Sequence, residues 1–158
     1  MSDKQHQYPV QVTWTGNRGE GTRTYQGYGR EHEVQVAGKP AIAGSSDAAF
    51  RGDDSKHNPE DLLVASLSSC HMLWYLHLAA VAGVVVTGYV DSAVGTLVDR
   101  GSDGHFTEVV LRPQVTITPD SDPARAVAVH EDAHHACFIA NSVNFPVRCE
   151  PSIVIESP

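Results

Sequence analysis

Three side chains in this 158-residue chain carry a nucleophilic sulfur: Cys70, Cys137 and Cys149. A thiolate attacks a peroxide oxygen and becomes a sulfenic acid, which a second thiol condenses to a disulfide. An external dithiol then resets the pair by exchange. The plainest role for any single Cys is packing. Cys70 falls midway along an apolar helix, with Ser66, Leu67, Leu73 and Trp74 as helical neighbours. Cys137 falls late in a second helix, with His130, Ala133 and His134 before it on one face. An imidazole at that spacing can lower a thiol pKa and favour the reactive thiolate. Cys149 alternates with Val147 and Ile153 on a strand and reads as structural. Two helices that each carry a Cys bring the sulfurs together only if they cross, and spacing leaves that open.

A peroxide-reducing thiol needs a cation to hold the thiolate and a carboxylate to orient that cation. Arg suits the task because its fork bonds carboxylate and sulfur together. The candidates are Arg18, Arg30 and Arg51, with Glu60 as the carboxylate. Glu60 and Cys70 are ten residues apart on one expected helix. That separation is roughly 15 Å along the axis and about 80° in direction. One chain's Glu60 cannot reach its own Cys70. If both serve one site, Glu60 comes from another copy, as an isologous two-fold dimer with centrally packed apolar helices allows.

The elements that position these residues are marked in the chain. Leu62–Val86 has no charged residue over 25 positions, long enough to span a bilayer. Ser66, Ser68, Ser69, His71 and His77, the lack of a basic flank, and Gly83 point instead to a buried core helix, Pro59–Ala82. Asn58 can cap it, Pro59 fits its first position, and Glu60 and Asp61 suit its positive end. A second helix begins at Asp122-Pro123 and runs to about Ala140. Tyr8, Val10, Val12 and Trp14 alternate as a strand, and Thr22–Tyr28 and Glu31–Val36 read as two more. Asp47–His57 reads as a polar loop. Val84–Val98 and Phe106–Thr118 form a hairpin, with Pro113 marking an edge or a bulge, and Val147–Ile155 is the last strand. The order βββ–α–ββ–α–β gives a single α+β domain over residues 1–158, with antiparallel sheets around a long central helix.

Asn58-Pro59-Glu60-Asp61-Leu62-Leu63, Ser68-Ser69-Cys70-His71, and Ala133-His134-His135-Ala136-Cys137 followed by Asn141-Ser142 together resemble the OsmC/Ohr family. These are the osmotically induced and organic-hydroperoxide-resistance proteins. The resemblance runs from Trp14-Thr15-Gly16 to the last strand. It implies an intertwined α+β homodimer with two sites at the subunit interface. It also implies that Cys70 attacks an organic hydroperoxide, that Cys137 resolves, and that Glu60 and an Arg assist. Arg18 looks like the family's N-terminal turn Arg. Arg51 is slightly preferred, because its loop leads directly into the site helix. Phe138 follows Cys137 where the family often has Pro. His71-Met72-Leu73-Trp74-Tyr75 differs from the Ohr branch and is similar to a less characterised OsmC-like branch.

Other readings compete. His130-Glu131-Asp132-Ala133-His134 matches the H-E-x-x-H pattern of zinc hydrolases. Position 137 is Cys and position 140 is Ala, where the extended pattern needs Gly and His. A dimeric binding protein for an apolar ligand, lined by Trp14, Trp74, Tyr75, Phe50 and Phe138, is a non-catalytic alternative. The net charge of −8 argues against nucleic acid. No phosphate loop or dinucleotide fingerprint stands out, so neither a cofactor nor a resident metal is expected. Met1–Tyr8 is polar with no apolar signal region, and an odd Cys count does not suit a disulfide-stapled secreted fold. A cytoplasmic location is expected.

Overall fold

Asn58 starts the long helix as the sequence requires. Its side-chain oxygen accepts from the Asp61 amide at 2.7 Å, and its carbonyl accepts from the Leu62 amide at 3.2 Å. In return, the Asp61 carboxylate accepts from the Asn58 amide at 3.4 Å. This is the reciprocal arrangement of a capping box. Asn58→Ala is expected to lower stability by about 1 kcal/mol. Chemical denaturation with an unchanged slope would measure it.

The structure is a computed structural model that describes residues 2–157. The chain forms two compact units, Met1–Leu62 and Leu63–Pro158. In the first, β1 (Gln11–Trp14), β2 (His32–Gln35) and β3 (Ile42–Gly44) make an antiparallel sheet in that order. The expected strand Thr22–Tyr28 is a series of turns and bends. Arg30 holds those turns. Its guanidinium donates to the Tyr28 carbonyl at 2.5 Å and the Tyr25 carbonyl at 2.8 Å. It also stands 4.0 Å from the Tyr28 ring centre and 4.6 Å from that of Tyr25. Strand propensity loses here to a local clamp on the backbone. β3 was not expected, because three residues are too short to show a period.

The second unit is built on α1 (Pro59–Val81), from Leu63 onward, and on α2 (Pro123–Ala136). The two long strands expected between them are each broken in the middle. β4 (Val86–Asp91) and β5 (Val94–Val98) replace the first, and β6 (His105–Leu111) and β7 (Pro113–Ile117) replace the second. β8 (Val147–Cys149) and β9 (Ser152–Ile155) replace the last. The breaks align, so the segments sort into two sheets ordered β4-β7-β9 and β5-β6-β8. Asp91 lies at the break. Its carboxylate accepts from the Arg112 amide at 2.7 Å and the Ser68 hydroxyl at 2.6 Å. Pro113 opens β7, the central strand of its sheet, and is buried; it lies at neither an edge nor a bulge. The first residue of a strand tolerates its missing donor. β8 pairs parallel with β6, and β9 parallel with β7, so the sheets are mixed rather than purely antiparallel.

α1 is long and apolar enough to cross a membrane by length and composition. In the fold it carries core. Leu67, His71, Tyr75 and Ala79 recur every four residues and form its buried stripe. Tyr75 and Ala79 pack with Val115 and Ile117 of β7 and with Ala126, Val129 and Ala133 of α2. Leu67 packs with Val109 and Leu111 of β6.

Candidate active site

Cys70 and Cys137 are both free thiols, and the fold makes them neighbours. Cys70 is half-buried in the middle of α1. Cys137 is buried and caps the C-terminus of α2, which ends about one turn earlier than expected. A short 3-10 turn, Ala140–Ser142, follows it. The Ala140 amide donates to the Cys137 sulfur at 3.4 Å. Burial raises the Cys137 thiol above its ordinary pKa, and hydrogen bonding to Cys70 raises it further. Cys137 therefore keeps its proton at neutral pH. Beside this pair, the rings of Trp74 and Phe138 meet edge to face with centres 5.5 Å apart. Trp74 follows Cys70 by one helical turn and Phe138 follows Cys137 directly, so each thiol has an apolar neighbour on its own segment. Tyr75 belongs to the core. Its hydroxyl donates to the Ala126 carbonyl at 3.0 Å, and burial pushes it up to about 12.

The first unit holds the candidate cations and Glu60. Arg18 is exposed and reaches Glu31 at 3.9 Å. Arg30 is committed to the carbonyls and rings of Tyr25 and Tyr28. Arg51 is exposed and caps the short 3-10 turn Ala48–Phe50. Its φ of 64° is left-handed, and among the described residues no other non-glycine residue has positive φ. A side-chain-bearing residue held there stores strain of about 1 kcal/mol. Its loop is tied on both sides. The Asp47 side chain accepts from the Ala49 amide at 2.7 Å, and the Asp53 amide donates to the Ser45 hydroxyl at 3.0 Å. The Lys56 ammonium donates to Asp53 and holds its carboxyl well below the usual range. Glu60 lies in the first turn of α1 and is half-buried.

His130, Glu131 and His134 do not converge as a zinc hydrolase requires. His130 is buried and its Nδ1 lies 3.0 Å from His71 Nε2. Glu131 is exposed, 3.6 Å from His135 Nδ1. His71 and His130 instead meet Cys149, whose sulfur lies 3.7 Å and 3.8 Å from the same two nitrogens. Burial pushes His71 down to about 4 and His130 down to about 3, so both rings are neutral at pH 7. The same burial pushes Cys149 up to about 12. Sequence reading passed over this cluster. No sequence signal marks it, because the buried spacing of Leu67, His71, Tyr75 and Ala79 shows only once the fold is known.

The comparisons agree with this architecture. The family model described as OsmC-like protein matches residues 52–152. An OsmC-like protein of unknown function from Vibrio cholerae is 35% identical, with a TM-score of 0.85 over 93% of this chain and 99% of its own. An organic hydroperoxide resistance protein OsmC from Legionella pneumophila is 16% identical, with a TM-score of 0.66 over 96% of this chain and 98% of its own. An organic hydroperoxide resistance protein from Elizabethkingia anophelis is 16% identical, with a TM-score of 0.68 over 98% of this chain and 100% of its own. No curated protein matches the chain. The two low-identity neighbours share the fold; the family match runs through both cysteine-bearing helices, and on it the chain belongs to the OsmC-like protein family.

Proposed function

We propose that the protein is a thiol-dependent peroxidase that reduces organic hydroperoxides, with Cys70 attacking and Cys137 resolving. The observation that carries this reading is the pair of free, adjacent thiols, one half-buried and one held protonated by burial. The Cys70 thiolate attacks the terminal peroxide oxygen and the O–O bond breaks. The alkoxide leaves and takes up a proton to become the alcohol, and Cys70 becomes a sulfenic acid. The Cys137 sulfur then attacks the Cys70 sulfur. Hydroxide leaves and joins the Cys137 proton as water, and a disulfide remains. An external dithiol returns both thiols. The Trp74–Phe138 pair favours an apolar substituent on the peroxide.

Glu60 and an Arg, Arg51 or Arg18, assist the thiolate. By the helical spacing set out above, Glu60 is supplied by a second copy. The apolar side chains that this chain leaves exposed support such a dimer. On α1, Leu73 is 63% and Val81 is 74% exposed. On β1, Val12 and Trp14 are also open to solvent. We read residues 1–158 as one OsmC-like domain, cytoplasmic, with no nucleic acid or membrane partner.

Stopped-flow mixing with an alkyl hydroperoxide and a dithiol tests the reading. The expected result is turnover that is faster with the alkyl hydroperoxide than with hydrogen peroxide. No consumption of either would overturn it. Arg51→Gly separates the cation's chemical role from its backbone role. Glycine adopts φ of 64° freely, so stability should stay within about 1 kcal/mol of the parent. Peroxide consumption should fall about 100-fold, the usual cost of losing one charge-stabilising group. Unchanged consumption would move the role to Arg18.

A further inference from the structure

His71 Nε2, His130 Nδ1 and Cys149 Sγ, from α1, α2 and β8, face one another inside the second unit, apart from the Cys70–Cys137 pair. Among the described residues, this is the one group of three side chains whose donor atoms are close enough to share a metal ion. We propose that these three atoms form a zinc-binding site.

The spacing fits. Tetrahedral zinc, with Zn–N of about 2.0 Å and Zn–S of about 2.3 Å, sets its ligands about 3.3 Å apart for N···N and 3.5 Å for N···S. The observed separations are 3.0, 3.7 and 3.8 Å. The donor chemistry fits too. Two imidazoles and a thiolate form a borderline-soft set, and both imidazoles are already neutral. The ring planes are within 4° of parallel with centres 5.3 Å apart, and the two near nitrogens share one hydrogen at 3.0 Å. Binding replaces this hydrogen bond. The ring that donates this bond shifts its proton to its far nitrogen, so that both near nitrogens offer a lone pair to the metal and both far nitrogens carry a proton. On His130 that far nitrogen, Nε2, is buried without a partner, and so is the hydroxyl of Tyr89. Packing alone gives no return on two unpaired polar groups around one cluster. Cys149 is among the groups whose charge acts on the Tyr89 hydroxyl.

The proton count is definite. The Cys149 S–H bond breaks, the S–Zn bond forms, and one proton passes to the buffer. The histidines release none. Zinc and one thiolate leave a single positive charge, and the Asp91 carboxylate, which acts on both His71 and Cys149, balances it. Glu131, Glu150, His134, Tyr75 and Tyr89 are the other charged or titratable groups acting on the cluster, Tyr75 stacking on His130 with ring centres 4.0 Å apart. Affinity should therefore rise about tenfold per pH unit near neutrality, since one proton leaves for each ion bound.

The test uses the full chain carrying Cys70→Ser and Cys137→Ser, stripped with a chelator and titrated with cobalt(II) as the zinc probe. The expected result is one ion per chain, with tetrahedral and thiolate-to-cobalt absorption bands that zinc displaces. Adding Cys149→Ser should remove the thiolate band and weaken zinc binding by about 100-fold or more. A second readout needs no variant at Cys149. In the wild-type chain, zinc should slow alkylation of Cys149, mapped by mass spectrometry. Absence of the thiolate band, its persistence after Cys149→Ser, equal alkylation with and without zinc, or uptake of copper(I) but not zinc would each overturn the assignment. None of these readouts depends on peroxide turnover.

Discussion

Cys70→Ser is expected to abolish hydroperoxide consumption, lowering the rate on the order of 10³-fold or more. A serine hydroxyl at neutral pH cannot replace a thiolate as the attacking group. Cys137→Ser should behave differently. The first attack needs only Cys70, so that variant should consume about one equivalent of peroxide per chain and then stop. Its Cys70 sulfenic acid should be captured by a sulfenic-acid-specific nucleophile. The contrast matters more than either loss alone, because misfolding would reduce both activities alike. A Cys137→Ser variant that turns over at the wild-type rate with a dithiol would remove Cys137 from the resolving role.

The second large effect is on stability in acid. His71 and His130 are almost fully buried and held down to about 4 and about 3, whereas an unfolded His titrates near 6.5. The unfolded chain therefore binds more protons than the folded one below that value. Both groups contribute stability that is fully present above pH 6.5 and is lost as pH falls from there toward 4 and 3. Two protons taken up on unfolding give a slope of about 3 kcal/mol per pH unit inside that window. Denaturation of the metal-free chain, measured at several pH values, would show it. His130→Gln should reduce the slope by about half while leaving the high-pH plateau flat. A stability curve that is level between pH 6.5 and 4.5 would contradict the buried, neutral pair. Asp53, whose carboxyl the Lys56 ammonium holds low, adds its own loss only below the usual carboxylate range.

Local signals were legible in the chain wherever the structure is local. Asn58, Pro59 and Asp61 announce the start of α1, and Asp122-Pro123 that of α2, because capping depends on neighbours along the chain. The four-residue recurrence of Leu67, His71, Tyr75 and Ala79 is visible only once burial is known. An all-round apolar helix shows no preferred face in its sequence. The strand breaks at Ser92, Arg112 and Glu150 were not legible. They rest on hydrogen bonds between distant residues, such as Glu150 to the Leu111 carbonyl at 2.8 Å and Arg112 to Asp91. The parallel pairings of β8 and β9 are equally non-local. The same limit applies to the site. Spacing named Cys70 and Cys137 one at a time, and only the fold sets them side by side. In the sequence His71 stands in a motif and Cys149 on a strand, and the packing that joins them to His130 has no sequence period.

Mass spectrometry of the chain after one equivalent of an alkyl hydroperoxide, with no reductant present, tests the central claim most directly. The account predicts an intramolecular Cys70–Cys137 disulfide, with Cys149 still a free thiol, and its return to two thiols on adding a dithiol. A chain that consumes the peroxide but leaves Cys70 and Cys137 unlinked, or links either of them to Cys149, would contradict it.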